Sequence, residues 1–288
     1  VGETVTIGVE ATGASAYQWQ YRTSTEGEWK SLKSDAYKKA SFDHVVKAAN
    51  NGYQYRCLVS NSVGNSVESD AATLVIPLKI TEGQEDGEII AAPGETVTIG
   101  ITAQGATSYQ WQYRTSESGT WVNLNNAKYK AASFDHVVKL ANDGYQYQCI
   151  VSDGTSTITS GTITLKLLKI TDQTEGEIKA AVGDAITVAV ETENATAYQW
   201  QYRTSESGTW KSLSSAVYKA ASFDYTVKAS ANGYQYRCLV SNGDSQVISE
   251  TITLIVVPKI IVQPDETITA DVGETVTIGV EATGASAY

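Results

Sequence analysis

The chain is poor in the residues that carry chemistry. Its 288 residues include no methionine, three cysteines, two histidines, three phenylalanines and four prolines. Three cysteines, Cys57, Cys149 and Cys238, stand about ninety residues apart. That spacing excludes both a dense disulfide framework and a Cys-based metal centre. Lysine and arginine number 21 against 32 acidic residues, a net charge of −11. A deficit of basic charge excludes binding to a phosphate backbone, so no nucleic-acid partner is expected. No apolar run reaches the roughly 18 residues of a membrane-spanning helix, and no signal peptide is present. The chain opens on Val1 rather than Met and reads as a window cut from a longer or processed polypeptide.

What the chain has is repetition. Residues 1–17, VGETVTIGVEATGASAY, recur without change at 272–288. Within that interval YQWQYR begins at Tyr17, Tyr109 and Tyr198. Trp19, Trp111 and Trp200 are each followed after 38 residues by Cys57, Cys149 and Cys238. A second tryptophan, Trp29, Trp121 or Trp210, stands 10 residues after the first. A unit of about ninety residues matches one small β-sandwich, and tandem repetition marks an extended array. Residues 93–109, the equivalent of 1–17 in the next unit, match it at 11 of 17 positions, so the larger period is a three-unit block of 271 residues.

Strands are legible in the first unit. Val5, Ile7 and Val9 alternate with Thr4, Thr6 and Gly8; Tyr17, Trp19 and Tyr21 alternate with Gln18 and Gln20. Tyr53, Tyr55, Cys57 and Val59 follow, then Ala72, Leu74 and Ile76. A period of two with Asn/Gly breaks predicts half-buried strands, and no helical period is sustained.

These residues carry a resemblance. Gly-Glu-x-Val-Thr-Ile-x-Val, then Trp19, then Asn51 to Asn61 (NGYQYRCLVSN) resembles the immunoglobulin fold, in the wording of bacterial surface-protein immunoglobulin-like domains. The resemblance implies an all-β fold of tandem immunoglobulin-like sandwiches. It makes Trp19, Trp111 and Trp200 the strand-C tryptophans, and Cys57, Cys149 and Cys238 the strand-F cysteines. Tyr55, Tyr147 and Tyr236 take the tyrosine-corner place, whose hydroxyl ties back to nearby backbone. Where the family has its strand-B cysteine stand Val9, Ile101 and Val190. Each unit therefore holds one unpaired thiol, expected to be buried opposite an apolar residue.

The expected domains are 1–77, lacking its own strand A, then 78–167, 168–257 and 258–288, the last supplying strands A, B and the start of C. The joints, such as Leu74 to Ile80, Leu165 to Ile170 and Ile255 to Ile260, are apolar and strand-like, without a Gly/Ser spacer. A stiff rod is expected, formed either by one giant chain or by short chains joined through strand addition near 258–271.

No constellation predicts catalysis. His44 and His136 give way to Tyr225 in the third unit, and a base that one copy discards is a poor base in the others. The acidic residues near the joints, Glu82, Glu85, Asp86 and Glu88 among them, follow no calcium-loop spacing and read as a solvated edge. Asp43 and Lys47, with their equivalents, lie too close in sequence for a cross-sheet isopeptide bond. Trp29, Trp121 and Trp210 are the candidate glycan contacts, although each also suits a strand lying over the sandwich. Gln18, Gln20, Arg22, Gln54 and Arg56 form an outward stripe able to meet a glycan or a neighbouring copy.

The expected role is a structural repeat of an extracellular, cell-surface bacterial stalk, fibre or filament, with no enzymatic activity, cofactor or metal. Its expected partners are copies of itself or the continuation of the same repetitive chain. The alternative is an adhesin module for host or microbial glycans or proteins.

Overall fold

The computed structural model describes residues 2–83, 85–285 and 287. The chain is all-β, built of tandem immunoglobulin-like sandwiches, with short single-turn helices between strands. It divides into two compact units. One comprises Val1–Gly87, Thr98–Asp135 and Gln146–Ile163; the other comprises Glu88–Val97, His136–Tyr145 and Thr164–Tyr288.

In the first unit, Thr4–Gly8 pairs antiparallel with Ser41–Val45 as one layer. The other layer is led by Ala16–Arg22 against Gln54–Ser60, in a register that sets Trp19 opposite Cys57 and Tyr21 opposite Tyr55. Lys30–Ser31 extends that sheet at one edge, and Ser66–Glu68 and Ala72–Thr73 extend it beside Gln54–Ser60. Alternation along Gln54–Ser60 sends Tyr55, Cys57 and Val59 inward. They meet Trp19 and Phe42 in a core that Ile7, Val9 and Leu74 flank. The Trp111 repeat reproduces the central pair: Ser108–Arg114 lies against Gln146–Ser152 with Trp111 opposite Cys149.

The second unit contains the whole Trp200 sandwich. Lys169–Gln173, Ala185–Glu193 and Ser222–Thr226 form one sheet in that order. The other runs Glu177–Ala181, Ile252–Val257, Gln235–Asn242, Ala197–Arg203 and Lys211–Ser212, with Ser245–Ile248 beside Gln235–Asn242. The first of those pairings is parallel, Ile178 opposite Leu254, and all others described in this sheet are antiparallel. Trp200, Cys238, Val188, Val240, Ile252 and Leu254 are wholly buried between the layers. Burying an aliphatic or aromatic side chain of this size contributes roughly 1.5–3 kcal/mol. That burial stands in for the missing staple.

Strand passes to strand at the joints of this unit. Ile163–Leu167 and Lys169–Gln173 are separated by Leu168 alone, and Ile252–Val257 and Lys259–Val262 by Pro258 alone. Leu168 is fully buried and donates its backbone N–H to Ala91 O at 3.0 Å.

Beyond Pro258, Lys259–Val262 pairs with Glu281–Thr283. The alternating run Val276, Ile278 and Val280 forms no strand there, and its members are 41–66% exposed. Its counterpart Thr4–Gly8 is held by Ser41–Val45. A strand with one apolar face forms where a pairing partner and a facing layer exist.

Candidate functional site

Each sandwich centres on a buried indole. Trp19, Trp111 and Trp200 are at most 1% exposed, and each donates its ring N–H to a carbonyl 20 residues on: Lys39, Ala131 and Ala220, at 2.9–3.0 Å. Phe42, Phe134 and Phe223 meet these rings edge-on at 5.0–5.2 Å. The three cysteines are free and fully buried. Burial pushes the Cys57 thiol up, the Cys149 thiol up to about 11 and the Cys238 thiol up to about 12. Val9 is half-buried against the Cys57 core, while Ile101 and Val190 are 7% and 3% exposed.

The serines that serve these strands are a feature that sequence reading passed over. Ser69, Ser160 and Ser249 each accept the cysteine's backbone N–H through Oγ at 2.8–2.9 Å. Each also donates its own backbone N–H to the cysteine carbonyl at 2.9–3.0 Å. The signal available was a recurrent serine at a nearly constant offset, 12 residues after Cys57 and 11 after each of the other two.

The corner tyrosine of the first sandwich departs from the expected backbone tie. Tyr55 places its hydroxyl 3.3 Å from His44 Nε2, and burial pushes its pKa up to about 12. His44 Nε2 also lies 3.1 Å from Asn50 Oδ1, as His136 Nε2 lies 3.0 Å from Asn142 Oδ1. In the third sandwich Tyr225 takes the place of the histidine, its ring centre 6.2 Å from that of Tyr236. Both histidines are thus part of a corner brace. Tyr147 is 3% exposed in the same inward position.

The outward face carries a ladder of charged and amide groups. Gln54 donates to Thr73 Oγ1 (2.9 Å) and accepts from Arg22 Nε (2.7 Å). The Arg22 guanidinium lies 4.6 Å from the Trp29 ring centre, and Arg56 covers the same ring at 4.4 Å. Arg56 Nε then donates to Gln20 Oε1 at 2.9 Å and its Nη1 pairs with Glu68 at 2.5 Å. The third sandwich repeats the ladder, with Arg203 and Arg237 at 4.7 and 4.3 Å from Trp210. In the second, Arg114 covers Trp121 at 4.6 Å, and Gln148, in the place of the second arginine, donates to Gln112 at 2.8 Å. Each of these tryptophans precedes a strand of only two residues and is half-buried. A guanidinium over an indole face is attractive by ~0.5–1 kcal/mol near solvent. A sugar stacking on Trp29 or Trp210 must displace one.

At the joints one position recurs. Gly105, Asn194 and Gly284 all have positive φ, at +74°, +59° and +72°. A Cβ at Gly105 would sit 2.8 Å from Ile76 O and 2.9 Å from Pro77 O. Asn194 holds the same backbone and donates its amide to Leu167 O at 2.8 Å. The acidic side chains near the joints are partnered: Glu82 accepts from Thr102 Oγ1, Asp86 from Thr162 N–H, and Glu88 pairs with Lys166. Lys169 bridges Asp143 (2.8 Å) and Glu193 (2.9 Å). Asp43, Asp135 and Asp224 accept from Thr6, Thr98 and Thr187 on the facing strand at 2.6–2.7 Å.

No family model and no curated protein matches the sequence. Solved structures with a similar arrangement include extracellular domains 3–5 of Drosophila OTK, at 17% identity and a TM-score of 0.39, over 88% of this chain and 92% of that one. The titin I-band fragment I67–I69 aligns at 15% identity and TM-score 0.35, over 89% and 93% of the two chains. The N-terminal four Ig domains of a Dscam1 isoform align at 13% identity and TM-score 0.34, over 88% and 70%. The fold of this chain rests on its own strands and registers.

Among the described residues no helix is long and apolar enough to cross a membrane, and no group of three or more His, Cys, Asp or Glu is placed to hold a metal ion. What the geometry offers is a repeated polar face, closed on itself by hydrogen bonds, and joints tied by backbone and side-chain contacts.

Proposed function

We propose that the chain is a structural repeat segment of an extracellular bacterial stalk, fibre or filament. The observation that carries the reading is the one-residue handover between strands at Leu168 and Pro258. A sandwich that begins one residue after its predecessor ends has little slack to swivel on, whereas a flexible tether needs a Gly/Ser stretch. The left-handed closures at Gly105 and Asn194 and the Lys169 bridge add to that support. Three near-copies with the same internal bracing suit mechanical repetition, in which each unit contributes length. The partners in this reading are copies of the same repeat, along one chain or between chains.

Electron microscopy of the native material tests the proposal. Long, regular filaments or stalks with a repeat of one three-unit block are expected. Isolated short particles overturn it.

A further inference from the structure

The third sandwich holds a cavity of ≈ 280 Å³ whose wall is mostly tyrosine: Tyr202, Tyr218, Tyr225, Tyr234 and Tyr236, with Lys228 at its rim. Tyr202 and Tyr234 stand stacked, ring centres 6.0 Å apart, while Tyr218 meets Phe223 edge-on at 5.0 Å. Tyr225 lies beside Tyr236 with ring centres 6.2 Å apart. The hydroxyls of Tyr202, Tyr218 and Tyr234 have no hydrogen-bond partner among the described residues. Ser230 adds another hydroxyl to the wall.

The stack and the edge contact recur in the first sandwich as Tyr21–Tyr53 and Tyr37–Phe42; what is particular to the third copy is the set of residues at positions 225, 230 and 231. In the first two sandwiches the corner carries the bonded pairs His44–Asn50 and His136–Asn142. The third replaces both members at once, with Tyr225 and Ala231, and puts Ser230 where the others have Ala49 and Ala141. The changes add aromatic surface and hydroxyls to the same corner.

We propose that this cavity binds one pyranose ring of a glycan, preferentially a ring that carries a carboxylate. The volume lies just under the roughly 300 Å³ lower end for small-molecule pockets, so the occupant is of single-ring size. Tyrosine faces stack on the apolar face of a sugar, and free phenol hydroxyls bond its hydroxyls. A quaternary ammonium also favours aromatic walls, but no carboxylate lines this cavity and Lys228 opposes a cation. The same lysine attracts a uronate. The site goes beyond the structural role and does not depend on it.

The test is a titration of the 288-residue chain with methyl glucuronide, methyl glucoside and choline chloride, followed by calorimetry or by tyrosine chemical shifts. Saturable binding is expected for both sugars, tighter for the glucuronide. Tyr218→Ala weakens it by about two- to tenfold, the value of one aromatic contact. Tyr225→His combined with Ala231→Asn, the bonded pair of the other two sandwiches, weakens it while leaving the thermal midpoint unchanged. Lys228→Gln brings the glucuronide down to the level of the glucoside. Three results overturn the proposal: no saturable sugar binding, choline bound more tightly than either sugar, or glucuronide binding that survives both tyrosine changes. Because the Tyr225→His, Ala231→Asn variant restores a pair that the neighbouring sandwiches already fold with, loss of folding in Tyr218→Ala leaves the test intact.

Discussion

Asn194 donates its side-chain amide to the carbonyl of Leu167, 2.8 Å away, while its own backbone sits at φ +59°. A residue that most side chains disfavour is held there because the carbonyl that ends one sandwich needs a donor as the next begins. Asn242 clamps the same turn by donating to Asn194 O at 2.6 Å. Asn194→Gly keeps the backbone freedom and loses one hydrogen bond, an expected cost of ~0.5–1.5 kcal/mol. Asn194→Val also loses the bond and adds strain of about 1–3 kcal/mol for a β-branched residue at positive φ. Hydrogen exchange at the Leu168 and Asn194 amides reads the local opening. Equal exchange in the two variants contradicts this account.

The outward ladder makes a prediction by its one gap. Trp29 and Trp210 each lie between two guanidinium groups, but Trp121 has Arg114 alone and Gln148 in the second place. Gln148→Arg completes the sandwich and is expected to stabilise the second repeat by ~0.5–1 kcal/mol, less at high salt. A double-mutant cycle with Trp121→Leu isolates the contact, since the gain should vanish without the indole. Undiminished stabilisation in the leucine background assigns the effect to something other than the ring.

Much of the sandwich was readable from alternation and spacing, because a buried strand face repeats every two residues. Trp19, Cys57 and Tyr55 stand inward as a period of two requires, and the register sets Trp19 opposite Cys57. The strand pattern at Val276 to Val280 was readable too, yet it forms no strand, because pairing is a property of two segments and not of one. The outward tryptophans were ambiguous for a different reason. Whether an indole face is open depends on side chains from two strands distant in sequence, Arg22 and Arg56, and composition cannot show that they converge. The tyrosine cavity needed the structure for the same reason: its wall comes from five tyrosines on four separate segments.

The thiols give a kinetic prediction. Cys149 and Cys238 are fully buried, with pKa values pushed up to about 11 and about 12. The thiolate is the reactive species, so at pH 8 little of it exists in the folded chain even where reagent can enter. Labelling by an aromatic disulfide reagent is expected to be slow for all three cysteines and to accelerate together in denaturant, as local or global opening becomes the gate. One fast, stoichiometric thiol in the native protein contradicts the burial described here. Cys57→Val, which fills similar space without the sulfur, is expected to change stability by less than about 1.5 kcal/mol, as volume-conserving core swaps do.

Acid provides the last test, at the joint that Asp143 and Lys169 share. Burial raises the Asp143 carboxyl, but hydrogen bonds from Lys169 and the Leu167 N–H and the charges of Lys169 and Lys166 outweigh it. The net pKa lies below the ordinary carboxylate value. A carboxyl lowered on folding binds fewer protons when folded than when unfolded. Its contribution is therefore present above the unfolded value near 3.9 and is lost as pH falls through the lower folded value. Asp143→Asn removes the charge but keeps an acceptor for Leu167 N–H, as Asn51 and Asn232 serve Ile76 and Val256 in the other copies at 2.8–2.9 Å. The variant is thus expected to fold normally and, at neutral pH, to lose no more than about 1 kcal/mol, since the pair is part-exposed and screened. Below about pH 4 its thermal midpoint should fall less steeply than that of the wild type, and the two curves should converge. Parallel curves from pH 7 to pH 2 mean that Asp143 holds the Leu167 backbone only as a hydrogen-bond acceptor, and that its charge contributes nothing at the joint.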